Sequence, residues 1–478
     1  MKFLAKSILL LASASTSLGY AQISSFKHVV VIFQENRTPD NLFQGLCVPP
    51  FGTANSCSTV PTGKQYNIQT RNWLNKRSRT GFTQPLTVPM ASTYDLNHGH
   101  AAWQAQCDKD ASGKCKMDGA SIVPCVGICP TQPQFRYVVP TPAVSLNPYL
   151  ELATQYGWAN YMFQTNQGPS FPAHQYIFGA TSARSANDDA LGIFSAENTI
   201  GDGDVAAGCA ADPGVLVQLI NAQGIEVSGN TVRPCFEHQT VSDLLEARGV
   251  TWRYYAPSPG SIWTAPNAIH HICLESGTTC IGPDWMANVD LNPSNVLTDI
   301  GNCNLRQVSW VIPTGQNSDH AKSNTGGGPA WVASIVNAIG NSACGYWRDT
   351  AIFITWDDWG GWYDHEPPAI LHAPQAGYQY GFRVPLLAVS AYTAPQLVDN
   401  KRHDFGSIVR FIEHNYGIGN LGFADTRCDP SWSNCSLDDL PNFFNLTQAP
   451  RPFQTIHATV GAEYFLNDKS LPTDPDDD

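Results

Sequence analysis

The chain has 478 residues, 42% hydrophobic and 11% aromatic, which is enough to bury a large core and too apolar for a disordered polymer. Only 14% of residues are charged, against about 25% in a typical globular protein, and the formal net charge is −13. That balance argues against nucleic acid and anionic membranes as electrostatic partners; an anionic substrate would need a local positive charge, most simply a metal ion.

In chain order, the first segment, MKFLAKSILLLASASTSLGYAQ, has two lysines, a short apolar run and small residues up to Ala21. This is the layout of a secretory signal over residues 1–21, with a plain N-terminal tail as the blander alternative. The run is too short for a comfortable membrane span, and no later segment reaches the required length, so stable membrane insertion is not expected. Fourteen cysteines fit an exported chain, secreted or periplasmic, held by disulfides. Near neighbours are Cys47/Cys57, Cys107/Cys115, Cys125/Cys129, Cys273/Cys280 and Cys428/Cys435, which leaves Cys209, Cys235, Cys303 and Cys344 for longer links. A structural zinc site is disfavoured, because the sequence has no pair of Cys-x-x-Cys units.

After this segment, apolar runs alternate with helical patterns. HVVVIF (28–33) predicts a strand buried on both faces of a parallel sheet. NPYLELATQYG (147–157) predicts a helix stopped by glycine, and TVSDLLEARGVTWRYYA (240–256) predicts a helix, Gly249 and a strand. VSWVIP reads as a strand and PAWVASIVNAIG as a helix. TAIFITW (350–356) and VPLLAVSAY (384–392) are further strands, and DFGSIVRFIEHNYG is the last helix. The alternation predicts an α/β layered fold with a largely parallel sheet. Residues 47–140 and 184–235, rich in Gly, Pro, Asn and Ser, read as disulfide-stapled insertions on a single domain spanning 22–470. An acidic tail, 471–478, follows.

In open α/β sheets the ligand crevice lies beyond the carboxyl ends of the strands. Two strands here end in oxygen donors: HVVVIFQEN delivers Glu35 and Asn36, and TAIFITWDD delivers Asp357 and Asp358. Solvated strand caps would explain either cluster alone. Two such clusters at equivalent strand ends point to a shared cation, because adjacent carboxylates repel unless neutralised. An oxygen-only donor set suits calcium, magnesium or manganese better than zinc. In NQGPSFPAHQYIFGAT, Ser170 precedes a predicted helix over 172–178. A serine there is ordinarily an N-cap, but a hydroxyl beside a divalent cation can attack phosphorus. His98, His100, His270, His271, His320 and His365 are candidates for holding phosphate oxygens or protonating a leaving group, although a lone histidine is more often a structural hydrogen bonder.

Taken together, FKHVVVIFQENRTPDNLF, YDLNHGHAAWQAQCDKDASGKCKMDG, NYMFQTNQGPSFPAHQYIFGATS, WVIPTGQNSDH, FITWDDWGGWYDHEPP, GFRVPLLAVSAY and FGSIVRFIEHNYG resemble, in order, the motifs of the phosphoesterase family that holds bacterial phospholipases C and a group of acid phosphatases. The resemblance covers most of residues 27–418. It implies a three-layer α/β/α sandwich with an alkaline-phosphatase-like core and one divalent metal. Carried over by position, the metal ligands are Glu35, Asn36, Asp357 and Asp358 with Ser170. Ser170 is also the nucleophile, and the phosphate-side histidines are His98, His320 and, by a looser match, His271 or its neighbour His270. His365 falls in a shared Tyr-Asp-His segment and reads as structural. Three departures stand out: Asp357-Asp358 where the family more often has Asp-Glu, Pro172-Ala173-His174 where the phospholipases tend to have Pro-Asn-Arg, and Thr38-Pro39-Asp40 for the commoner Ser-Phe-Asp.

The expectation is an exported metal-dependent hydrolase of phosphate esters, with a small phosphate ester or a phospholipid head group as substrate. Serine and the missing Asn-Arg favour acid phosphatase, with phospholipase C as the alternative. A rival of another class is an exported binding protein that keeps the fold and the metal without turnover.

Overall fold

The computed structural model describes residues 24–201, 205–369, 380–427 and 440–470. The expected signal, the Cys428/Cys435 pair and the acidic tail lie outside these residues.

Eight strands among the described residues form the central sheet. In chain order they are β1 (His28–Gln34), β2 (Gly157–Met162), β3 (Trp252–Tyr255), β4 (Val289–Asp290), β5 (Val308–Val311), β6 (Thr350–Trp356), β7 (Leu386–Val389) and β8 (Leu397–His403). Their order across the sheet is β4-β3-β5-β1-β6-β7-β2-β8. All pairings are parallel except the two made by β7, which runs against its neighbours β6 and β2. The central strands β1 and β6 are buried almost throughout. Such near-continuous apolar runs are required when both sheet faces are covered.

Six helices matter for the site: α1 (His100–Cys107), α2 (Asn147–Gln155), α3 (Ser170–Gly179), α4 (Val241–Glu246), α5 (Gly328–Gly340) and α6 (Phe405–Tyr416). On one face α2 packs with α5, and Tyr149 of α2 lies edge-on to Trp356 of β6 at 5.1 Å. On the other face α3 packs with α4 and α6; Phe178 meets Trp310 of β5 at 5.3 Å and Phe411 meets Phe353 of β6 at 4.9 Å. The result is the expected α/β/α sandwich. Helix α6 has local signals at both ends, with the Asp404 carboxylate accepting from the Ser407 N–H and Gly417 closing it in the left-handed region.

Helix α3 begins at Ser170, two residues before the sequence-based start. Pro172 is tolerated in its first turn because the first four N–H groups of a helix have no intrahelical partner. The sequence reading passed over β2 (GWANYM) and the outermost strand β8 (LVDNKRH). Their polar and small residues break the apolar pattern, and β8 can afford polarity because an outermost strand is partly open to solvent. Residues 384–392 yield only the four-residue β7, whose reversed direction no apolar run encodes.

The disulfides Cys47–Cys57, Cys107–Cys115, Cys125–Cys129 and Cys273–Cys280 join the expected neighbours, and the remaining four cysteines pair as Cys209–Cys235 and Cys303–Cys344. Within 47–140 short two-stranded ladders form, including Tyr94–Leu96 with Cys125–Gly127, which lies beside the site.

Candidate active site

Gln34 of β1 stands opposite Trp356 of β6, so the residues that follow each strand emerge side by side at the carboxyl edge of the sheet. The Asp357 N–H donates to the Gln34 carbonyl at 3.0 Å, and the Asn36 N–H donates to Asp357 Oδ1 at 3.0 Å. Asn36 adopts a left-handed backbone (φ 62°), a conformation asparagine tolerates better than most residues, and this turns its side chain back over the strand end. Glu35, Asn36, Asp357 and Asp358 are all buried.

Ser170 is brought to the same place by the start of α3. Its hydroxyl donates to Asp358 Oδ2 at 3.3 Å, a long hydrogen bond. Two ties fix this approach: Gln164 accepts the Trp359 N–H at 3.1 Å while its amide donates to the Gly168 carbonyl at 2.9 Å, and Asn198 accepts the Phe171 N–H at 2.9 Å. Gln164 therefore links the loop before Ser170 to the loop after Asp358.

His98 sits above this group. Its Nδ1–H donates to the Leu96 carbonyl at 2.8 Å, which leaves Nε2 to accept from Asn36 Nδ2 at 3.2 Å, 3.9 Å from Asp358 Oδ2. With the Asn36 amide so oriented, its Oδ1 and the second oxygen of Asp357 are buried without a hydrogen-bond partner among the described residues. Buried acceptors left this way, among three buried carboxylates, are what a cation site requires. His320 lies 5.9 Å from His98 between ring centres; its Nδ1–H donates to the Ala321 carbonyl and Nε2 is 4.0 Å from Asp95 Oδ2.

The structure adds a residue the sequence reading treated only as a departure. His174 lies four positions after Ser170 on α3, hence on the same face, and its Nε2 is 3.3 Å from Glu35 Oε1. Ligand atoms of Glu35, His174 and Asp357 all lie within 4.8 Å of one another. Beside the expected oxygen donors this group therefore also offers an imidazole nitrogen. The i, i+4 spacing in SFPAH was the available signal, hidden because the helix was started at Pro172.

Arg37 was also unassigned. Its Nε donates to the Asp319 carbonyl oxygen at 2.9 Å and its guanidinium stacks on Trp362 at 5.0 Å, so the motif that supplies Glu35 and Asn36 also holds the loop that carries His320. Burial pushes the Asp319 carboxyl up to about 6, against Arg37 and the donors Trp356 and Tyr149.

His271 is not brought to this group. It bonds Glu237 at 2.8 Å and Asp243 at 3.1 Å, and the Asp243 hydrogen bond, with Glu237 aiding, raises its pKa to about 9. The more exposed His270 faces Glu237 and Glu275 and is no substitute. His270 and His271 lie on a short helix whose acidic neighbours Glu237, Asp243 and Glu275 engage both rings. His365 is part of a separate network, bonding Asp40 at 2.7 Å and Asn67 at 2.9 Å beside the Arg383–Asp364 ion pair. His100 has its own surroundings: Nδ1 faces the Gln167 carbonyl at 2.7 Å, and Nε2 lies 2.9 Å from both the Gly224 carbonyl and the Gln104 amide nitrogen.

Above the buried group opens a cavity of about 290 Å³ bordered by His98, His320, Pro169, Asn198, Lys322 and Val126, together with Asp95 and Glu197. Burial and the neighbouring Glu226 push the Glu197 carboxyl up to about 8, and its oxygen accepts the His100 N–H at 2.7 Å at the start of α1.

Residues 26–419 match the Phosphoesterase family. Curated relatives include phospholipase C B of Mycobacterium tuberculosis, 26% identical over 45% of this chain and 45% of its own, and non-hemolytic phospholipase C of Burkholderia pseudomallei, 28% identical over 34% and 26%. Hemolytic phospholipase C of Pseudomonas aeruginosa is 22% identical over 63% of this chain and 42% of its own. The chain thus spans less than half the length of each of these relatives. Among solved structures, a Vibrio parahaemolyticus protein of the alkaline phosphatase superfamily overlaps with a TM-score of 0.32 at 11% identity, covering 57% of this chain and 61% of that one.

Proposed function

Because the chain belongs to the Phosphoesterase family, we propose an exported, metal-dependent phosphoesterase that hydrolyses phosphate monoesters in the manner of an acid phosphatase, with Ser170 as nucleophile. The observation that carries this reading is the convergence of Glu35, Asn36, His174, Asp357 and Asp358 on one buried group beside the Ser170 hydroxyl. A divalent cation held by these residues would neutralise phosphoryl oxygens and favour the ionised serine. The mixed oxygen and imidazole set suits manganese better than calcium.

Asp358, already accepting from Ser170, is placed to hold the hydroxyl proton as Oγ attacks phosphorus. The new Oγ–P bond forms as the bond to the leaving oxygen breaks, and His98 or His320, when protonated, donates to that oxygen. Water then attacks the phosphoseryl group in the reverse sense, which restores Ser170 and releases phosphate. Six disulfides among the described residues support an oxidising, extracytoplasmic destination.

A second reading, phospholipase C, is favoured by the relatives' names, and a metal-loaded binding protein without turnover is the third. Hydrolysis of p-nitrophenyl phosphate, its bis ester and phosphatidylcholine, with and without chelator, separates them. The expected outcome is chelator-sensitive monoester hydrolysis that Ser170→Ala lowers at least a thousandfold (order of magnitude, ~10³). Activity confined to phosphatidylcholine selects the phospholipase reading. Absence of Ser170-dependent turnover on all three esters sinks both enzymatic readings.

A further inference from the structure

We propose that the disulfide-closed loop Cys125–Cys129 is an apolar lip that binds the organic group of the substrate ester and so sets leaving-group preference; this rests on the phosphoesterase reading of the cavity. Val126 borders the same cavity as His98 and His320, yet it is 54% exposed, and Ile128 beside it is 78% exposed. Val126 stands at the edge of a polar cavity with Ile128 two residues on in the same closed loop, and both aliphatic side chains are held out to solvent; they call for a ligand, because the phosphate of an ester bound against the histidines must carry its organic group outwards.

The loop is built for a fixed position. Cys125 and Cys129 close a five-residue ring, and Gly127 (φ 93°) occupies a turn where a Cβ would press on the Thr93 carbonyl. The Ile128 N–H donates to that same carbonyl at 3.2 Å. Asp95 pairs with Val126 and Leu96 with Cys125, and Leu96 in turn accepts the His98 Nδ1–H. The lip and the histidine are therefore parts of one short ladder, and little conformational freedom remains to be lost on binding.

The occupant is the apolar group of a single ester molecule rather than a bilayer. Two aliphatic side chains match one ring or a short alkyl chain. Around the cavity Asp95 and Lys322 carry opposite charges, so no basic patch is present there to draw an anionic lipid surface to a chain of net charge −13.

The test uses non-hydrolysable phosphonates, so binding is read apart from turnover. Calorimetry on the metal-loaded protein compares phenylphosphonate with methylphosphonate for wild type and for Val126→Ser/Ile128→Ser, both changes being at exposed positions. Phenylphosphonate is expected to bind wild type about five- to tenfold more tightly than methylphosphonate, and the double variant about equally to both. Equal affinities in wild type, or a preference kept by the variant, overturns the lip. Lip-dependent co-sedimentation with phosphatidylcholine vesicles overturns the single-molecule occupant in favour of a membrane. A phenyl preference lost in the variant, without Ser170-dependent hydrolysis, would leave the lip standing and sink the catalytic reading alone.

Discussion

His174 shows how one side chain can pack among aromatic rings and still reach a buried carboxylate. Its ring lies 5.6 Å from Phe33 and stacks at 6.3 Å on Trp263, while Nε2 reaches Glu35. The packing fixes the imidazole plane, and the carboxylate contact directs its nitrogen toward the ligand cluster. His174→Asn keeps a polar group but withdraws the ring nitrogen. It is expected to weaken Mn²⁺ binding about 10- to 100-fold in calorimetric titrations of the metal-stripped protein. An unchanged metal affinity with a lowered Tm would mean that His174 acts only in packing. Lone histidines in a sequence give no such information; the spacing to Ser170 becomes legible only once the helix is known to start there.

At the scale of elements, the site depends on two neighbouring strand ends staying in register. Gly360 governs this closeness: its backbone is left-handed (φ 60°), its N–H donates to Asp358 Oδ1 at 2.6 Å, and a Cβ there would press into the Asn36 carbonyl. Gly360→Ala therefore forces apart the turns that follow β1 and β6 and strains its own backbone. The expected loss is about 2 kcal/mol or more of stability, seen in calorimetry as a Tm lowered by roughly 5 °C, together with weaker metal binding. A variant with wild-type Tm and metal affinity would show that the two turns do not need this close approach. Helices α2, α5 and α6 and strands β1 and β6 were legible because each carries either a period or a continuous apolar run. Strands β2, β4 and β8 were not, since their burial comes from neighbours far along the chain.

Over the whole molecule, several carboxylates are buried in the interior, where pH can act on stability. Glu413 of α6 is buried, accepts the Leu421 N–H at 3.0 Å and adjoins the buried Asp425, which the same N–H and those of Gly422 and Phe423 hold as an acceptor. Burial first, and the Asp425 charge second, raise the Glu413 pKa to about 9. The folded state then binds a proton that the unfolded chain releases near pH 4.5. Stability accordingly falls as pH rises from about 4.5 to about 9. Glu413→Gln supplies a permanent donor to Asp425 and removes that slope. Its Tm is expected to exceed wild type by about 2–4 °C at pH 8 and to converge with it near pH 5, as thermal scans across that range would read. A pH-independent difference would contradict the shared-proton account.

The sequence by itself determined the layered α/β class, the place of Glu35, Asn36, Asp357 and Asp358 at strand ends, and four near-neighbour cysteine pairs among the described residues, because each is written in local order and period. Tertiary structure alone decided that β7 runs backwards, that Cys209 joins Cys235, that His174 comes within ligand distance of Glu35 and Asp357, and that His271 pairs with Glu237 and Asp243. The physical reason is the same throughout: hydrogen-bond direction, ligand distance and charge pairing depend on which distant segments become neighbours, and a one-dimensional pattern of polarity does not carry that distance.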